Sequence, residues 1–329
     1  MRWRTCEGRG WSDRAGLAAP GASLDIPEPG SKNRAGVWQP PGSHRGEAGG
    51  QGGTHTVRGA SRFMQHTAGF DLSLVEICGV RTELARKGRG RPILFLHPGQ
   101  GFTGLGPALG QLAQWGEVFA PSHPGFGRTE RPAAITTVDD LAYFYLDFIE
   151  ALRLEEILLI GASFGGWLAA EIVVRCAHAM AGLVLVDPLG IKVGDRTSRD
   201  IADMHSASDE QLAALLYADP ARHRPDYASF SEDDLLTVAR NSEATTLYGW
   251  RPYMYNPRLL GRLHRIRIPT LILWGEEDRV VTPEYGRAYA AAIPGARFEA
   301  IARAGHLAMV EQPERCAGLV GEFLGRLRA

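Results

Sequence analysis

Leu158-Leu159-Ile160-Gly161-Ala162-Ser163-Phe164-Gly165-Gly166-Trp167 is the stretch on which the fold turns. An apolar run ends at Gly-x-Ser-x-Gly, and a helix-like segment from Trp167 to Cys176 follows at once. That order predicts a tight strand-to-helix turn that lifts the Ser163 hydroxyl above a sheet. Small flanking residues suit a turn in which backbone packs on backbone and the serine is strained. The following helix would aim its N-terminal N–H groups at the hydroxyl, so the Phe164 N–H is a candidate oxyanion donor.

Upstream, Leu72–Ile77 and Val80–Ala85 bracket Cys78-Gly79 and predict a hairpin. Pro92–Leu96 reads as a buried parallel strand that runs into His97-Pro98-Gly99-Gln100-Gly101. A helix over Leu105–Trp115, a strand over Val118–Pro121 and a loop through Pro124-Gly125-Phe126-Gly127 come next. Thr137-Val138-Asp139-Asp140 signals a helix start, and Leu141, Tyr145, Phe148 and Leu152 recur at helical spacing on its core side.

Downstream, Leu183–Val186 is a further strand, closing at Asp187-Pro188. The rhythm breaks over 190–264, which is polar, helix-like and rich in aromatics, and predicts an inserted helical cap. It returns with Thr270–Trp274, a helix over Pro283–Ile293, a strand over Arg297–Ile301 and a last helix from Pro313 to Leu327. Strands alternating with helices predict an α/β fold: a mostly parallel sheet, helices on both faces, a core over 68–189 and 265–329, and the cap between.

Residues 1–63 are rich in Gly, Arg, Pro and Ser without periodicity, which predicts a disordered leader. Met64 stands just before the first regular segment and is a candidate true start. The remaining bounds are mild. A 44% hydrophobic fraction suffices for a sizeable core, and a net charge of −1 argues against a nucleic-acid or anionic-membrane partner. Four cysteines far apart, with no Cys-x-x-Cys, argue against a disulfide framework or zinc site and point to a cytoplasmic location. No run reaches the length needed to span a bilayer, and no phosphate loop or dinucleotide fingerprint calls for a cofactor.

A serine hydroxyl is a weak nucleophile and needs a base, itself held by an acid. The acid candidate is Asp278, in Gly275-Glu276-Glu277-Asp278, at the end of a strand, where open α/β sheets build sites. Glu276 and Glu277 read as solvated loop charges, and Asp187 reads as a turn residue. The base candidate is His306, following Gly305 between the last strand and helix. His97 and His123 lie on loops at the same sheet edge and are expected to shape them. The second oxyanion donor should come from the loop after Leu96. Pro98 lacks an N–H, which leaves Gly99, then Gln100. Gln100, Trp250 and Tyr253 are candidate substrate contacts.

His97–Gly101, Pro124–Gly127, Gly161–Gly166, Gly275–Asp278 and Gly305-His306 together resemble the α/β-hydrolase fold superfamily. His97-Pro98 stands where many members have His-Gly, and the His-Gly-Gly-Gly signature of one lipase and esterase branch is missing. The resemblance implies an eight-stranded, mostly parallel sheet and a triad of Ser163, Asp278 and His306. It implies a serine hydrolase cleaving a small or medium ester-like acyl substrate, with no metal or cofactor. C–C hydrolysis of ring-fission products and perhydrolase-like chemistry would use the same triad. Epoxide and haloalkane hydrolases use an Asp nucleophile where this chain has Ser163. The alternative of another class is a receptor-like protein that retains the triad beneath a ligand-closing cap.

Overall fold

A computed structural model of the chain describes residues 69–195 and 197–327. The expected leader, 1–63, and the Met64 start lie outside the described residues. Eight strands form one sheet: β1 (Asp71–Ile77), β2 (Val80–Lys87), β3 (Pro92–Leu96), β4 (Glu117–Pro121), β5 (Ile157–Ala162), β6 (Met180–Val186), β7 (Thr270–Gly275) and β8 (Arg297–Ile301). Their spatial order is β1-β2-β4-β3-β5-β6-β7-β8. Only the β1/β2 and β2/β4 pairs are antiparallel. Ile77 pairs Val80 across the hairpin, where Cys78 and Gly79 take φ of 48° and 83°. Two positive-φ residues suit the right-handed twist of the flanking strands.

Side-chain alternation splits the core into two layers. Leu94, Leu96 and Leu159 face α2 (Val138–Ala151), α3 (Phe164–Arg175) and α7 (Pro283–Ala292). Ile93, Phe95, Leu158 and Ile160 face α1 (Gly106–Leu112) and α9 (Pro313–Leu327). The period of two in the central strands thus puts helices on both faces. Leu141, Tyr145 and Phe148 of α2 are fully buried, whereas Leu152, at its C-cap, is half-buried. Thr137 caps that helix reciprocally: the Asp140 N–H donates to Thr137 Oγ1 and the Thr137 N–H to the Asp140 carboxylate.

The chain crosses from β4, on one side of β3, to β5, on the other. Connections after β3 and β5 therefore leave the sheet in opposite directions and open a crevice at their C-terminal ends. Loop 97–101 and Ser163 follow those two strands.

The segment 190–264, expected to be a helical cap, is irregular in its first part. Helices begin only at α4 (Asp209–Leu216), followed by α5 (Pro220–His223) and α6 (Glu232–Gly249), with 3₁₀ turns at Tyr227–Ser229 and Leu260–Arg265. Before Asp209, short polar side chains take the backbone bonds a helix would need. Asp200 accepts from the Val193 and Gly194 N–H groups, and Asp195 from those of Thr197 and Ser198. A short helix not expected from sequence, α8 (Ala308–Glu311), precedes α9.

Candidate active site

Ser163 sits between β5 and α3 at φ 51°, ψ −113°. A non-glycine residue is strained there, by about 1–3 kcal/mol, and persists only if its surroundings impose it. They do. The Ser163 N–H donates to Val186 O at 2.8 Å, and Ser163 O accepts from the Trp167 and Leu189 N–H groups. The neighbouring glycines allow the turn. A Cβ on Gly165 would meet Leu96 O at 2.1 Å, and one on Gly161 would meet Gly165 O at 2.3 Å. The Ser163 side chain does not cap α3, and the first N–H groups of a helix have no intrahelical acceptor.

Three side chains from distant parts of the sequence meet. Ser163 Oγ lies 2.7 Å from His306 Nε2, and His306 Nδ1 lies 2.8 Å from Asp278 Oδ2. All three are buried. The carboxylate can only accept, so it takes the Nδ1–H and leaves Nε2 to accept the serine proton. Asp278 Oδ1 is held by the Val280 and Val281 N–H groups at 2.8 and 3.0 Å.

The rival acids are elsewhere. Glu276 and Glu277 are exposed. Asp187 is buried, but its oxygens take the Gly275 and Ala308 N–H groups, tying the β6, β7 and His306 loops together. Burial, reinforced by the Asp278 carboxylate, pushes Asp187 well above the usual carboxylate range.

His97 and His123 form a buried, tilted ring pair with centroids 3.7 Å apart. The His123 N–H donates to His97 Nε2, His97 Nδ1 donates to Pro98 O, and His123 Nε2 donates to His97 O. Tyr145 donates its hydroxyl to His123 Nδ1 at 2.5 Å. Burial disfavours imidazolium and pushes His97 down to about 4. Burial and the neighbouring His97 hold His123 well below its ordinary value. Neutral, fully bonded imidazoles brace loop 97–101 against α2.

That loop forms a wall of a cavity of about 490 Å³. Pro98, Gly99 and Gln100 line it on one side; Leu216, Tyr217 and Leu307 are among its other walls. Gln100 Oε1 is buried and has no hydrogen-bond partner among the described residues. Trp250 and Tyr253, the other expected substrate contacts, do not line this cavity. Trp250 is 54% exposed, at the C-cap of α6. The Tyr253 hydroxyl accepts from the Met204 N–H and donates to Ala202 O, so it braces the irregular segment.

Sequence reasoning missed the contacts that seat the cap. Asn241, 3% exposed on α6, donates through Nδ2 to Gln100 O at 3.3 Å and accepts the Gly127 N–H at 2.9 Å. Thr245 donates its hydroxyl to Gly99 O at 2.9 Å, and Tyr248 donates to Pro124 O at 2.9 Å. Their i, i+4, i+7 spacing is a helical face that could have been read. On the other side, the Glu311 carboxylate accepts from the Gly305, Ala218 and Asp219 N–H groups at 2.6, 3.1 and 3.0 Å. The Leu307 N–H donates to Leu216 O. No sequence pattern marks Glu311 for that role.

Among the described residues, no group of three or more His, Cys, Asp or Glu is placed to hold a metal, and no helix is long and apolar enough to cross a membrane.

Comparison with known proteins bears on this site. The Alpha/beta hydrolase family matches residues 93–319, from β3 into α9. A dihydrolipoyllysine-residue acetyltransferase component of an acetoin cleaving system from Cupriavidus necator is 27% identical over 281 residues, covering 79% of this chain and 71% of that protein. A 2-hydroxymuconate semialdehyde hydrolase from Pseudomonas sp. (strain CF600) is 26% identical over 262 residues, covering 76% of this chain and 93% of that protein. The solved structure of a thermophilic esterase from Thermogutta terrifontis superposes with a TM-score of 0.62 at 22% identity, covering 78% of this chain and 98% of that one.

Proposed function

The chain belongs to the alpha/beta hydrolase family, and from that premise we propose that it is a serine hydrolase cleaving a small or medium ester-like acyl substrate. Ser163 attacks the carbonyl while His306 takes its proton, and Asp278 holds the imidazole in the required tautomer and stabilises the imidazolium. The Phe164 and Gly99 N–H groups bind the oxyanion. His306 returns the proton to the leaving alcohol, then activates the water that cleaves the acyl-enzyme. The observation that carries the reading is the continuous hydrogen-bonded line from Ser163 Oγ through His306 to Asp278. The mostly apolar cavity supports a small organic substrate. We place the chain in a reducing compartment such as the cytoplasm, supported by Cys78, Cys176 and Cys316, which carry no disulfide.

A second reading, C–C hydrolysis of a ring-fission product, is favoured by the relative named for 2-hydroxymuconate semialdehyde. One experiment addresses both: steady-state turnover of p-nitrophenyl esters of graded chain length and of a ring-fission dienoate, by wild type and Ser163→Ala. Esters are expected to turn over faster than the dienoate, and Ser163→Ala to lose at least about 10³-fold. Faster dienoate cleavage would favour the second reading. Unchanged ester turnover in Ser163→Ala would sink the mechanism.

A further inference from the structure

We propose that α6 belongs to the acyl-transfer machinery, with Thr245 and Asn241 acting as positioning residues that set the Gly99 N–H and couple cap seating to oxyanion binding. The inference rests on the acyl-transfer reading above.

Residues 98–101 form a turn closed by the Gly101 N–H donating to Pro98 O at 2.9 Å. Its two central carbonyls, of Gly99 and Gln100, are both taken by one cap helix. Thr245 holds the first and Asn241 the second. The Gly99 N–H shares a peptide plane with Pro98 O, which accepts from the Gly101 N–H and from His97 Nδ1; with the next two carbonyls pinned by α6, the rest of the turn is held at one tilt against that plane. Contact reinforces the bonds: a Cβ on Gly99 would lie 3.0 Å from Thr245, and one on Gly101 2.5 Å from Asn241 Nδ2. Asn241 also fastens loop 124–127 through the Gly127 N–H. One neighbour is a carbonyl and the other an N–H, so a single amide orientation satisfies both.

Thr245 has a second choice. Its hydroxyl also lies 2.7 Å from Asn241 O, the carbonyl one turn back in α6. One proton serves one acceptor at a time, so the hydroxyl can release Gly99 O without being stranded. Lifting α6 to admit substrate removes both tethers, and reseating it restores them. Oxyanion donors stabilise only when preorganised, so rapid acyl transfer requires a seated cap.

The test uses the full-length enzyme with a p-nitrophenyl ester and a trifluoromethyl ketone, whose adduct with serine carries an oxyanion. Thr245→Val keeps shape and removes the hydroxyl; Thr245→Ser keeps the hydroxyl. The expected result for Thr245→Val is a fall in kcat of about 10-fold, KM within two-fold, and ketone affinity reduced by the same factor as kcat. Thr245→Ser returns both to within two-fold of wild type. Asn241→Asp, which keeps the acceptor for Gly127 but loses the donor to Gln100, gives the same paired loss. Wild-type kcat and ketone affinity in Thr245→Val would overturn the proposal, as would equal losses in the Val and Ser variants. Ser163→Ala run in parallel separates the two claims. If it is inactive while Thr245→Val matches wild type, only the positioning role falls; if it is active, the acyl-transfer reading falls and this inference with it.

Discussion

At Ser163, backbone strain and side-chain reach are one fact. The residue sits at φ 51° in a turn whose flanks admit only glycine, since a Cβ on Gly165 or Gly161 would lie 2.1–2.3 Å from a backbone oxygen. The sharp turn carries the hydroxyl to His306 Nε2. The imidazole needs its own constraint, since a ring that swaps tautomers offers an N–H to the serine in place of a lone pair. Asp278→Asn is therefore expected to keep the fold and KM but lower kcat by about 10³–10⁴-fold, measured by steady-state kinetics beside a thermal melt. A variant within ten-fold of wild type would move the acid's role elsewhere, Asp187 being a second buried carboxyl on the same loops. Ser163, Asp278 and His306 were legible because each follows a strand and the chain order suits the elbow. Trp250 and Tyr253 were not. Aromatic character marks burial as readily as ligand contact, and which face of a cap residue meets the cavity is a tertiary matter.

At the scale of elements, the site is held by its loops, and the loops by one another. Glu311 illustrates this. One turn of α8 brings a carboxylate to the N–H groups of Gly305, Ala218 and Asp219, so the loop bearing His306 and the start of α5 share one acceptor. Glu311→Ala leaves the buried Gly305 N–H unpaired and is expected to cost about 2 kcal/mol. The check is urea unfolding, as a lower midpoint at unchanged slope; a midpoint equal to wild type would show that the contact contributes nothing. The helices and strands themselves were mostly legible from period and capping. The exception lies between Gly190 and Asp209, where Asp195, Asp200 and Asp203 take local N–H groups in side-chain bonds. Polarity there resembles a solvated helix face until the backbone is traced.

For the whole molecule, the neutral histidine pair makes stability depend on pH. His97 and His123 take up protons readily when unfolded, near 6.5, and resist them when folded. Below about 6.5 the unfolded state therefore binds more protons, and stability is lost as pH falls toward 4. Each imidazole contributes a slope of up to about 1.4 kcal/mol per pH unit. Asp187, raised in the fold, works in the opposite direction; two imidazoles against one carboxyl leave a net loss on acidification. The melting temperature is expected to drop steadily from pH 6.5 to 4, by scanning calorimetry. A flat or rising profile would mean that the pair is not held neutral.

What the sequence by itself determined is the layered α/β plan and the three candidate groups that the fold brings into one hydrogen-bonded line. Those follow from local rules: an apolar run that buries both faces of a strand, a tight turn that its flanking glycines permit, a carboxylate and an imidazole at strand ends. What only the tertiary structure decided is which distant groups touch. Asn241 meets Gln100 across 141 positions of sequence, and Ala218 meets Glu311 across 93. Such contacts exist because a whole cap settles on a whole sheet. Their selection rests on shape and on satisfying buried backbone groups, quantities that no short stretch of residues contains.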